Sequence, residues 1–230
     1  MGKISSLQIP RFLKSTDSFV FSCNQCGKCC RTNRVVKLTP FDCFQISQYL
    51  KITPLELLQE WCNYYIDESS KLPVVKLKAK IYDNVCVFLT EGKCEIQQSK
   101  PTVCALYPIE RVYDFEADTF YHFLPSSYCR PVDEVHVLKE WLKVHSLAES
   151  ENVYRLWWKS LDTLITKFQI AEVHQVLSNQ LSNTLYDEVY TFIFLMLYIK
   201  YDTASEYLQQ FEHNMAELFD FVTKIRSIIL

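Results

Sequence analysis

Residues 21–31 read FSCNQCGKCCR, which places four thiols, Cys23, Cys26, Cys29 and Cys30, within eight residues. The first three are separated by two residues each, the spacing at which a tight turn can aim neighbouring sulfurs at one ion. Gly27 follows Cys26 and is expected to take a positive φ, which relieves the turn and lets backbone amides approach the sulfurs. Cys30 is the odd member. Adjacent side chains usually diverge, so Cys30 is open to three uses: serving a second metal, closing the site from the other side, or bridging. Arg31, Arg34 and Lys37 follow at once. Four thiolates around one divalent zinc carry about −2 net charge, which nearby cations would offset. As surface cations after a loop they need no such role.

Six further cysteines complete the ten in the chain. Cys94 follows Gly92 in TEGKCEI, Cys104 lies between Pro101 and Pro108, and Cys129 precedes Pro131. Glycine and proline are expected to hold these three in turns, where ligands are easily presented. With Cys86 and the first cluster they make eight, enough for two four-sulfur sites, or for one site plus a redox or orienting set. Cys43 and Cys62 lack ligand-like spacing and are expected as buried thiols within helices. Disulfides are the weaker reading. The stretch MGKISSLQIPRFLK has no apolar h-region and no small-residue cleavage signal. That points to a cytoplasmic protein, in a compartment that keeps thiols reduced.

Phe21-x-Cys23-x-x-Cys26-Gly27-x-Cys29-Cys30 resembles the signature of the YkgJ-type cysteine-cluster family, a zinc- or iron-chelating domain. Flagellin N-methylases share that signature. Leu38-Thr39-Pro40-x-Asp42, Cys86-Val87-Phe88-Leu89, Cys94-Glu95-Ile96, Pro101-x-x-Cys104 with Tyr107-Pro108, and Cys129 extend the resemblance over about residues 21–130. Lys100 stands where such proteins often have arginine, and Tyr107 where phenylalanine is frequent; neither change removes a ligand. The resemblance implies metal or iron–sulfur binding through Cys23, Cys26, Cys29, Cys30, Cys86, Cys94, Cys104 and Cys129. For some relatives it implies lysine methyl transfer.

Thiolates alone do not choose the metal. A C-x-x-C-x-x-C run with a remote fourth cysteine, Cys104 or Cys129, is similar to the ligand run of bacterial ferredoxins, so a [4Fe–4S] cluster is preferred over Zn2+. Such a site can be purely structural, because metal binding supplies folding energy. The leading reading is therefore a metal-binding protein with a structural centre, serving as a binding scaffold. The alternatives are a protein lysine N-methylase or redox enzyme using the same centre, and a metal-stabilised interaction module. With only three glycines in the chain, no glycine-rich methyl-donor loop is present. His122 is the one histidine near the cysteines in sequence, as a ligand or a ligand-orienting group. Asp42 is a candidate for orienting a ligand, although helix capping accounts for its local pattern.

The elements that must position these thiols are legible in part. All ten cysteines precede residue 130, which predicts a cysteine-rich metal-binding domain over 1–135 and a helical region over 136–230. The expected fold is mainly α with a small irregular and β component, the cysteine-rich region packing against a C-terminal helical bundle. Thr39-Pro40-Phe41-Asp42 and Thr53-Pro54-Leu55-Glu56 predict two capped helix starts. Parity across residues 75–81 predicts a strand with one lysine face, residues 85–89 a second, and residues 111–124 a strand pair. Helices are predicted from about 134, over 151–169, 172–182 and 184–200, and through an amphipathic last segment from Tyr207 to Ile225. Its apolar stripe is expected in the core rather than as a partner groove, which leaves the helical region open to a protein partner. The apolar run 192–199 is far short of the about 20 residues a membrane span needs. A net charge of −3 makes no electrostatic case for nucleic acid.

Overall fold

The computed structural model describes residues 12–23, 26–31, 35–82, 84–125, 134–144, 147–148, 150–180 and 183–230. Cys129, Arg34 and His145 lie outside them. The chain opens with strands β1 (Phe12–Leu13), β2 (Ser18–Val20) and, after the cysteine cluster, β3 (Lys37–Leu38). Helices α1 (Pro40–Leu50) and α2 (Pro54–Trp61) begin where the sequence predicts. Thr39 Oγ1 accepts from the Asp42 N–H at 3.1 Å, and Asp42 Oδ2 accepts from the Thr39 N–H at 2.8 Å. Thr53 and Glu56 repeat the exchange at 3.2 and 2.7 Å. Each reciprocal pair satisfies two backbone donors that a helix start leaves open.

The strand prediction over 75–81 is half right. Strand β5 (Pro73–Leu77) is real, and it pairs antiparallel with β3 on one side and β4 (Cys62–Ile66) on the other. It stops at Leu77, and Ile81 is 94% exposed instead of facing the core. The chain there turns back on itself: the Lys80 N–H bonds to Val85 O, the Val87 N–H to Lys78 O, and Ala79 bridges to Cys86. Cys62 also departs from expectation, since it opens β4 instead of lying in a helix. The Lys78 ammonium caps the helix before it, donating to Gln59 O and Glu60 O at 2.6 and 3.0 Å.

A minimal hairpin follows, β6 (Leu89–Thr90) and β7 (Lys93–Cys94), then the short helix α3 (Thr102–Leu106). The predicted strand pair is β8 (Glu110–Asp114) with β9 (Thr119–Phe123), and β1 adds to the other edge of β9. Residues 135–137 form strand β10 (Val135–Val137), paired with β2, before helix α4 (Leu138–Val144) starts. Helical periodicity had been expected from 134; the Val-His-Val alternation pairs with a partner more than a hundred residues earlier and prevails.

Helices α5 (Glu151–Asp162), α6 (Ile170–Gln180), α7 (Asn183–Phe194) and α8 (Tyr207–Ile229) form the C-terminal bundle. Five-residue π segments extend α5 (Thr163–Lys167) and α7 (Leu195–Ile199). The fold is mainly α with small antiparallel sheets, as expected. One apolar core joins Leu38, Ile46, Leu57, Val75, Phe88 and Ile96 to Trp157, Leu164, Leu197, Phe211, Leu218 and Val222. The α8 stripe is therefore core. Among the described residues, no helix is long and apolar enough to cross a membrane.

Leu218 has no exposed surface, whereas Ile228 on the same helix is 75% exposed. Leu218→Ala is expected to cost about 2–5 kcal/mol and Ile228→Ala less than about 0.5 kcal/mol, read by denaturant unfolding. Equal effects would mean that the stripe does not carry the bundle.

Candidate metal centre

Cys23, Cys26, Cys29, Cys30, Cys86, Cys94 and Cys104 all line one cavity of about 110 Å³. Four short segments bring them there. Cys29 and Cys30 sit in the turn after Gly27, held by the Cys30 N–H to Gly27 O bond at 3.0 Å. The turn-back at residues 80–85 carries Cys86, whose N–H donates to Cys30 O at 2.8 Å and so ties the second segment to the first. The β6–β7 hairpin presents Cys94. Its two loop residues, Glu91 and Gly92, both have positive φ, 50° and 81°, as a two-residue antiparallel turn requires. Cys104 lies in α3, a helix rather than the expected turn.

Gly27 adopts φ +69°, as its position predicts, and it has a second reason to lack a side chain. A Cβ there would stand 3.0 Å from Leu89 Cδ1 and 3.2 Å from Gly92 O. The cysteine turn and the hairpin thus approach at a point where a side chain would be both crowded and strained.

The sulfurs of Cys29 and Cys30 do not diverge. They lie 3.9 Å apart and border the same cavity. Among the described residues, no three of the His, Cys, Asp and Glu side chains converge tightly enough to hold one ion as they stand. The cysteines border the space without three described side chains meeting at one spot. The nine described cysteines form no disulfide.

The surroundings of Cys30, Cys86 and Cys94 favour their neutral thiols. The hydrogen bond with Cys29 raises the Cys30 pKa first, then burial, then the sulfurs of Cys29, Cys86 and Cys94. Burial raises Cys86 and Cys94, against the backbone N–H groups of Phe88 and Ile96, which donate to their sulfurs. Lys80 and Lys100 also favour the thiolates of Cys86 and Cys94 respectively. Amide donors two residues after the cysteine and nearby ammonium groups are what a thiolate needs once a metal compensates the rest.

Cys43 and Cys62 lie in the core, away from the cavity. Burial pushes the Cys43 thiol well up and the Cys62 thiol to about 12. Both are inert structural thiols, as expected. His122 is not part of the cavity lining. It is buried in β9 opposite Arg111, and burial followed by the Arg111 charge lowers its pKa to about 4.

Asp42 does more than its sequence pattern indicates. Its carboxylate is 2% exposed. While Oδ2 serves the α1 cap, Oδ1 accepts from the Thr102 N–H at 2.8 Å and from Thr102 Oγ1 at 2.7 Å. Thr102 is the first residue of α3, so Asp42 anchors the helix that carries Cys104. The Tyr154 hydroxyl joins the same cluster through Thr102 Oγ1 and, at 3.4 Å, Asp42 Oδ1. Arg111 stacks over the Tyr154 ring at 4.5 Å. No local signal links residues 42 and 102.

Residues 22–130 match a family model, CxxCxxCC, described as "Putative zinc- or iron-chelating domain". The match spans all eight candidate ligands. No curated protein and no solved structure matches the chain.

Asp42→Ala removes a cap, worth about 1 kcal/mol, and strands the Thr102 N–H, worth about 1–3 kcal/mol more. The expected loss of about 2–4 kcal/mol should come with faster alkylation of Cys104 than of Cys94 in metal-free protein. Equal rates would dissociate Asp42 from the placement of α3. For His122, the lowered pKa means that the unfolded chain binds more protons between about pH 6.5 and 4. Stability is fully present above that window and falls by on the order of 3 kcal/mol as pH drops through it. His122→Phe should flatten this part of the pH–stability curve, and an unchanged slope would assign the acid sensitivity elsewhere.

Proposed function

We propose, from the match of residues 22–130 to the CxxCxxCC family model and from the gathered cysteines, that the cavity holds a thiolate-bound metal centre, a [4Fe–4S] cluster, that ties the cysteine-bearing segments together. The observation that carries this reading is the gathering of seven cysteines around one cavity, with Cys23, Cys26 and Cys29 on its exposed side. The space, about 110 Å³, is several times the about 10–15 Å³ that a single water needs, which favours a group of several atoms over one bare ion. The ligands are drawn from Cys23, Cys26, Cys29, Cys30, Cys86, Cys94 and Cys104, with Cys129 as the eighth candidate. A bound cluster supplies a cross-link and a one-electron couple. The elements around it support the structural role: β6 and β7 have two residues each and α3 has five, too little regular structure to hold the wall alone.

Zinc is the second reading, and the Cys29–Cys30 pair favours it. Two sulfurs bound at about 2.3 Å to one tetrahedral ion lie about 3.8 Å apart, close to the 3.9 Å observed.

Anaerobic purification with metal analysis and an absorption spectrum separates the two. The cluster predicts brown protein with a broad band near about 400 nm; colourless protein with one or two zinc ions per chain would replace it with the second reading. Cys86→Ser should lower metal content and thermal stability, whereas Cys43→Ala should leave metal content unchanged. Unchanged metal in Cys86→Ser removes that residue from the ligand set.

A further inference from the structure

A second hollow, of about 280 Å³, adjoins the first; Cys30, Val36, Leu77 and Cys86 border both spaces. Lys76, Lys78, Asn63 and Asn84 line it, and no carboxylate is found among its described lining. The sheet register explains the concentration of charge. Lys37 on β3 stands directly opposite Lys76 on β5, and Asn63 on β4 stands directly opposite Lys76 on its other side. Directly opposed residues share a face, and like charges in that relation destabilise the pair. Among the described residues, the ion pairs engage neither Lys37 nor Lys76. Lys76 lies 5.5 Å over the Tyr65 ring. Lys78 is fixed by its two bonds to α2 carbonyls, which leave one of its three N–H groups.

The metal centre does not account for all of this charge. Arg31, Lys37, Lys76, Lys78 and Lys80 belong to the segments that build the wall, and a four-thiolate site on a divalent ion carries only about −2. We propose that this hollow binds the phosphate group of a small ligand beside Cys30 and Cys86. A dianion beside Lys76 offsets the like charge of Lys37 opposite it in the sheet, lysine is a point-charge phosphate binder, and the Asn63 amide supplies a neutral donor. The position beside a metal centre rests on the function proposed above; the anion site rests on the lysine row.

The test is calorimetric titration of the full, as-purified chain at constant ionic strength with inorganic phosphate and with phenyl phosphate, sodium chloride serving as control. Saturable phosphate binding is expected, weakened at least tenfold by Lys76→Glu and by Lys76→Gln, with Lys167→Glu as an unaffected control. Circular dichroism and metal content of each variant establish that it is folded and loaded like the parent. Tighter binding of phenyl phosphate assigns the site to a phosphate ester, and equal binding assigns it to free phosphate. The absence of saturable binding, binding indifferent to both Lys76 variants, or displacement by equimolar chloride would overturn the site. Phosphate binding to a chain that carries no metal supports the anion site while removing the metal reading; metal-loaded protein that ignores phosphate overturns the anion site alone.

Discussion

Asp42 sits where α1, α3 and α5 meet, with one carboxylate oxygen turned to Thr39 and the other to Thr102. A buried carboxylate is costly unless its lone pairs are filled, and here two threonines fill them through both backbone N–H and hydroxyl groups. The helix start of α1 and the helix start of α3 therefore form around the same charge. Cys104 inherits its position from that arrangement, and the Tyr154 and Arg111 side chains connect it to α5 and β8. Removing the carboxylate would disturb a cap, a cysteine-bearing helix and the contact with the bundle together, so the cysteine half and the helical half are not energetically independent.

The cavity itself depends on close approach more than on regular structure. The Cys86 N–H to Cys30 O bond and the Gly27–Gly92 contact pin three cysteine-bearing segments within a few ångströms of each other. The resulting space is lined mainly by apolar residues and cysteines, with Gln97 and Lys100 at its edge, and burial there helps to hold the Cys30, Cys86 and Cys94 thiols neutral. Without a cation, the wall gathers thiols that gain little from one another. With one, the Phe88 and Ile96 amides and the Lys80 and Lys100 charges act in the same direction as the metal. That asymmetry is the physical reason to read the gathered sulfurs as a binding site and not as a cysteine-rich core, of which Cys43 and Cys62 are the chain's true examples.

Local signals were readable in the sequence and distant ones were not. The caps at Thr39 and Thr53, the positive φ of Gly27 and the α8 stripe are set by residues within a turn or a face of one element. Strand β10 and the early end of β5 are set by partners: Val135–Val137 by β2, and Leu77 by the turn-back beyond it. Cys62 follows Trp61 with no glycine to mark the helix end, and pairing with β5 decides its conformation. The Asp42–Thr102 bond spans 60 residues and the Lys37–Lys76 pairing depends on register, so neither leaves a pattern within any short window. The cysteine spacing identified the thiols to be gathered, while their placement around one cavity depends on the loops between them.

Trp141 also borders the cavity, and its Nε1–H donates to Leu106 O at 3.2 Å. It is the last residue of the described lining in chain order. A chain growing from its N-terminus therefore completes every described cavity thiol long before the side chain that closes this flank exists. With α4 docked, Trp141 closes one flank while Cys23, Cys26 and Cys29 stay exposed, so the wall on that flank is the last part of the cavity to be synthesised.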